Sequence, residues 1–141
     1  MSRVFEEFED DSGATIRYRR HSNGHGLVSP NAQVDASAFI DSSAYVESGA
    51  RVGRRAWIGP GSWIGHDVAV SADVFIGADV HVGDDTRIGR WARLGSHVRV
   101  GANSQIGQGA TVAADDHLRA NTVIRGVRAP RATGEGYARA A

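Results

Sequence analysis

Valine, isoleucine or leucine stands at every sixth position from Val28 to Ile124, seventeen times in succession and without one slip of register. Apolar positions on an α-helix recur every ~3.6 residues, so a strict hexad excludes a helical chain. It demands a short strand and a corner in every six residues. Glycine follows the aliphatic residue nine times, at Gly53, Gly59, Gly65, Gly77, Gly83, Gly89, Gly95, Gly101 and Gly107, as a tight, strained corner favours. Three positions after the aliphatic stand Asp67, Asp79, Asp85, Asn103, Gly109, Asp115 and Asn121, types that accept left-handed turn geometry. Four positions after it runs a row of small residues, from Ala32 to Thr122, broken only by Asp116. Residues two apart on a strand share a face, so the small residue and the next aliphatic both point inward. The residue between them points out.

This pattern resembles the hexapeptide-repeat family, and the resemblance covers residues 28–124. It implies an all-β fold, a left-handed parallel β-helix of triangular section with three hexads to the coil. Residues 18 apart then stack in columns. With strands ~4.8 Å apart, nearly six coils make a prism about 25 Å long.

The 141 residues read as a single domain: an N-terminal hairpin cap and linker over residues 1–26, the β-helix over 27–126, and a flexible tail over 127–141. The cap is expected as two strands, Arg3–Glu9 and Ala14–Arg20, around an Asp10–Gly13 turn. A solenoid exposes strand edges at its ends, which a cap covers. The linker histidines His21 and His25 are spaced for a weak metal clip, but no metal site is expected. The formal net charge is zero, which removes any global pull toward nucleic acid or membrane. All sixteen basic side chains are arginine, and there is no cysteine. With no long apolar run and no signal-peptide pattern, a cytoplasmic location is expected and a membrane partner is not.

Arranged in columns of 18, the outward residues form three faces. One carries Phe39, Trp57, Phe75, Arg93 and Thr111; the next carries Tyr45, Trp63, His81, Arg99 and His117. The third, with no aromatic residue, carries Gln33, Arg51, Ala69, Arg87, Gln105 and Val123. Two adjoining aromatic faces predict a homotrimer whose interface holds Phe39, Tyr45, Trp57, Trp63 and Phe75, as is usual for the family. The competing reading is that the N-terminal hairpin folds back over part of one aromatic face. Trp91, at a corner, fits neither. Arg87, Arg93 and Arg99 fall on three different faces, a belt rather than a patch, which argues against a nucleic-acid groove without excluding one. Arg54, Arg55 and Arg90 gather at one corner near Asp73.

The sharpest chemical candidate is Ile64-Gly65-His66-Asp67-Val68-Ala69-Val70, with a histidine two after the aliphatic and an aspartate following. It looks like the catalytic segment of two acyltransferase groups of this fold: the lipid A acyltransferases, and the sialic-acid and bacillosamine acetyltransferases. That resemblance implies His66 as general base in an intersubunit cleft, with Asp67 beside it. It also implies a backbone N–H one coil on, at Asp84, facing the oxyanion. Acetyl-coenzyme A is the expected co-substrate rather than a bound cofactor, and a small-molecule hydroxyl or amine is the expected acceptor. The family usually has glycine where this chain has Asp84, and the hexads here carry no inserted acceptor loop. A second resemblance, through Gly24-His25-Gly26-Leu27-Val28 and the alanine-rich hexads, is to uncharacterised bacterial and phage β-helix proteins. It implies a non-catalytic scaffold or binding protein, whose arginines could meet a polyanion. A third, to the γ-type carbonic anhydrases, would need three histidines on one zinc. His81 and His117 share a column but lie about 9.6 Å apart, and Thr122 stands where a further ligand is expected.

Overall fold

The computed structural model describes residues 5–9 and 15–127, and every regular element within them is a strand. From Leu27 to Ile124, seventeen two-residue strands follow at six-residue intervals, each ending on the aliphatic residue of its hexad. Each pairs in parallel with the strand 18 residues on, so the chain winds about five turns of a left-handed parallel β-helix. Sheet A stacks Leu27, Tyr45, Trp63, His81, Arg99 and His117 on its outer side. Sheet B stacks Gln33, Arg51, Ala69, Arg87, Gln105 and Val123. Sheet C stacks Phe39, Trp57, Phe75, Arg93 and Thr111. These are the three columns expected from the spacing.

The aliphatic ladder forms the core. Ile40, Ile58, Ile64, Ile76 and Leu94 are wholly buried, and the small row packs between them from Ala38 to Val98. Ser62, Thr86 and Ser104 sit in that row with no exposure. Each hydroxyl is satisfied: Ser62 Oγ donates to the Gly77 carbonyl at 2.8 Å and accepts the Val80 N–H at 3.1 Å. An unpaired buried hydroxyl would cost about 1–3 kcal/mol. Burial fades where Asp116 breaks the row, and Leu118 and Ile124 are only half-buried.

The corners turn through the left-handed region at the third residue after the aliphatic. Asp67 (φ 57°), Asp85 (61°) and Asn103 (58°) adopt it as expected. Arg55 (58°), Trp91 (64°) and His97 (67°) adopt it too, because the winding of the coil overrides local preference. The glycines after the aliphatic have a different cause from the backbone strain expected of them. A Cβ on Gly53 would lie 2.7 Å from the Ala72 nitrogen of the next coil, so it is the close approach of backbones that excludes a side chain there.

At the N-terminal end β1 (Phe5–Glu9) pairs antiparallel with β2 (Thr15–Arg20), and β2 pairs antiparallel with β3 (Leu27–Val28). The hairpin therefore extends sheet A and caps its first edge. The expected turn at residues 10–13 and most of the expected tail, residues 128–141, lie outside the described residues. Tyr18 anchors the cap: it is 7% exposed, its ring meets Tyr45 edge-on at 5.8 Å, and its hydroxyl donates to Glu47 Oε1 at 2.5 Å. Burial, reinforced by the Glu47 carboxylate, holds the Tyr18 hydroxyl well above the ordinary phenol pKa. His21 is buried with Nε2 2.8 Å from the Ala38 carbonyl, so its ring locks the linker to the first coil.

Candidate active site

His66 stands exposed on the corner between sheets A and B, two residues beyond Ile64. Its backbone is held on both sides. The His66 N–H donates to Asp84 Oδ1 at 2.9 Å, and its carbonyl accepts the Asp85 N–H at 2.9 Å. The imidazole is left to solvent on one side and meets Trp63 edge-on at 6.5 Å on the other. No ion pair joins the ring to Asp67 or Asp84 among the described residues, so the carboxylate of Asp84 serves the backbone rather than the ring. Asp67 turns away, its Oδ1 packed over Gly49 one coil below, and its N–H donates to the Ser48 carbonyl at 3.0 Å.

The same corner position explains the state of the Asp84 amide. At two corners the N–H two after the aliphatic finds its acceptor in the side chain 18 residues on; at the other corners it has no protein acceptor among the described residues. Asp84 accepts from His66 and Ser96 Oγ accepts from Ala78 at 3.1 Å. For Asp84 the residue 18 on is Ala102, whose methyl accepts nothing. Among the described residues no protein group takes the Asp84 N–H. Asp84 itself is half-buried, one coil above His66.

Trp63 is the wall of this corner. Its indole Nε1 donates to Glu47 Oε2 at 2.6 Å, and its ring lies 5.9 Å from His81. Glu47, 9% exposed, thereby accepts from both Tyr18 and Trp63. Sequence reasoning passed over Glu47, although it occupies the slot after the aliphatic where glycine prevails in the middle coils. A charged residue in a slot of close backbone approach was the available signal.

The residues expected at a subunit interface lie on the adjoining sheets A and C. Phe39 and Trp57 stack at 4.1 Å, and Trp57 remains 44% exposed. Arg93 covers Phe75 at 4.7 Å. Tyr45 is partly covered by Tyr18, so the hairpin does fold over one end of an aromatic face. On the corner between sheets B and C, Asp73 takes Arg55 Nε at 2.8 Å and Arg90 at 2.9 Å, while Arg54 makes no ion pair among the described residues. The Arg55 hydrogen bond, helped by Arg90, holds the Asp73 carboxyl below the usual range. Among the described residues no group of three or more histidines, cysteines or acids is placed to hold a metal, and no helix is long and apolar enough to cross a membrane.

The family model for the bacterial transferase hexapeptide (six repeats) matches residues 67–102 and 79–114. Over those residues the chain carries the hexad of that family. Among solved structures, this hexapeptide-repeat chain is similar to a point mutant of GDP-perosamine N-acetyltransferase from Caulobacter crescentus, in complex with CoA and GDP-perosamine. Identity is 24%, 70% of this chain and 49% of that one are covered, and the TM-score is 0.66, a likeness of fold. It is also similar to the acetyltransferase domain of PglB from Neisseria gonorrhoeae, at 29% identity over 70% of this chain and 48% of that one, with a TM-score of 0.49. The chain thus spans about half the length of these structures. No curated protein matches it.

Proposed function

We propose that this hexapeptide-repeat protein is an acyltransferase that moves an acetyl group from coenzyme A to a hydroxyl or amine, with His66 as general base. The observation that carries the reading is the unpartnered Asp84 N–H one coil above an exposed histidine. Neutral His66 would take the proton of the acceptor as its oxygen or nitrogen attacks the thioester carbonyl. The tetrahedral oxyanion would lie against the Asp84 N–H. Collapse would break the carbon–sulfur bond, and His66 would return the proton to the departing thiolate. The Asp84 carboxylate, engaged by the His66 N–H, is held beside the site, while Asp67 acts only through the backbone of the corner. The CoA complex of the similar Caulobacter acetyltransferase supports the choice of donor.

The reading includes a homotrimer in which the aromatic sheets A and C of neighbouring copies face one another, so that the His66 corner borders the cleft between them. Thiol release from acetyl-coenzyme A in the presence of small hydroxyl and amine acceptors tests the chemistry. The native chain should turn over, and His66→Ala should lose ~100-fold or more with its melting temperature unchanged. Equal turnover by that variant would remove His66 from the chemistry, whereas no thiol release by the native chain, or no calorimetric binding of acetyl-coenzyme A at millimolar concentration, would leave the chain as a non-catalytic trimeric scaffold. The Trp57–Phe39 stack, open on sheet C, is what favours that second reading.

A further inference from the structure

The arginines of the three faces are not in the same state. On sheet C Arg93 lies over the Phe75 ring at 4.7 Å, and on sheet A Arg99 donates to the Asp79 carbonyl at 2.8 Å. On sheet B Arg51 and Arg87 are exposed, and their guanidinium groups make no hydrogen bond, ion pair or ring contact among the described residues. They stand on either side of Ala69 in one column, paired in register with it from below and above. With strands ~4.8 Å apart, their Cα atoms are about 9.6 Å apart, and the methyl of Ala69 leaves the space between them empty. The same face holds a concavity of about 680 Å³ that includes all three residues, with Asp67 on one rim and Ser71 and Arg125 on the other.

We propose that sheet B carries an oxyanion site, in which the guanidinium groups of Arg51 and Arg87 close from below and above on a phosphoryl or carboxylate group seated over Ala69. Planar forks suit this task because each presents two parallel N–H donors to an oxyanion. An intervening side chain larger than alanine would fill the seat. Arg125 adds positive charge on the rim toward sheet C, and the Asp67 carboxylate on the opposite rim pushes an anion toward the arginines. The site lies on the one face without aromatic residues, so it stays open in a trimer built on sheets A and C. It does not depend on acyl transfer, since neither Arg51 nor Arg87 belongs to the His66 corner.

The test is titration of the full chain with inorganic phosphate and, separately, malonate at low ionic strength, read from the arginine Nε–Hε resonances. Phosphate or malonate should shift the Arg51 and Arg87 signals together, and the tighter of the two identifies the phosphoryl or the carboxylate class. Arg51→Gln and Arg87→Gln should each weaken binding about tenfold. Ala69→Leu, which keeps both charges and sits on an outward position, should weaken it comparably. Arg119→Gln, an exposed arginine about two coils beyond Arg87 on the corner between sheets A and B, should leave binding unchanged. No shift at tens of millimolar would overturn the site. So would native affinity in Ala69→Leu, or a loss in Arg119→Gln equal to that in Arg87→Gln, because either result means general charge attraction.

Discussion

Glu47 connects the cap of the molecule to its candidate site. One carboxylate oxygen accepts from Tyr18 on the hairpin and the other from Trp63 beside His66. Tyr18→Phe removes a hydrogen bond to a buried charged group, so it should destabilise the chain by about 1–3 kcal/mol in denaturant melts. Trp63 fluorescence should report the hairpin leaving in the same transition. The pH sign follows from the direction of the Tyr18 shift. Its folded pKa is raised, so the stabilisation is complete below the unfolded value near ~10 and is lost as pH rises toward the folded value. Native chain should therefore lose stability above about pH 10 more steeply than Tyr18→Phe, as compared in urea melts across that range. Asp73 works in the opposite sense. Its folded pKa is lowered by Arg55 and Arg90, so its contribution is present above ~3.9 and disappears as pH falls below it. Asp73→Asn should flatten the acid limb of the melting temperature against pH.

A single strand of the β-helix is two residues long and has no stability of its own. What sustains it is the aliphatic residue stacked on those 18 before and after it. Ile76 lies between Ile58 and Leu94 with no exposure, and Ile76→Ala should cost about 2–5 kcal/mol in a chemical melt because the rigid stack cannot collapse onto the cavity. Deletion at a corner is harsher than truncation in the core. Removing Asp85 alone shifts every later residue by one, and the aliphatic ladder from Ile88 onward turns to the surface. The β-sheet circular dichroism of that variant should fall by the share of the coils beyond the deletion. Removing residues 69–86 as one whole coil keeps every later residue on its own face, and that shortened chain should still melt cooperatively.

At the scale of the whole molecule, the two aromatic faces are unequal. Sheet A spends Tyr45 on the hairpin and Trp63 on Glu47, whereas sheet C leaves the Trp57–Phe39 stack open. If neighbouring copies meet through these faces, the energetic centre is Trp57, since a large exposed aromatic in a pair is what interfaces bury at their core. Sedimentation velocity should show a trimer for the native chain and a monomer for Trp57→Asp, with the circular dichroism of the two unchanged. A monomer in both would remove the intersubunit cleft from the proposed chemistry, but it would leave the oxyanion site on sheet B standing.

The hexad by itself determined the strands, the three faces and the column of every outward residue, because a period of six with three strands to the turn assigns each residue a fixed address. His66, Asp84 and the aromatic columns were legible for that reason. Which side chains meet across neighbouring coils was decided only by the tertiary structure. Asp84 reaches the His66 backbone and not its ring; Glu47 draws in Tyr18 and Trp63; the guanidinium groups of Arg93 and Arg99 find partners while those of Arg51 and Arg87 find none among the described residues. An address places a Cα, but direction depends on rotamers chosen against neighbours 18 residues away, and the periodicity carries no information about them.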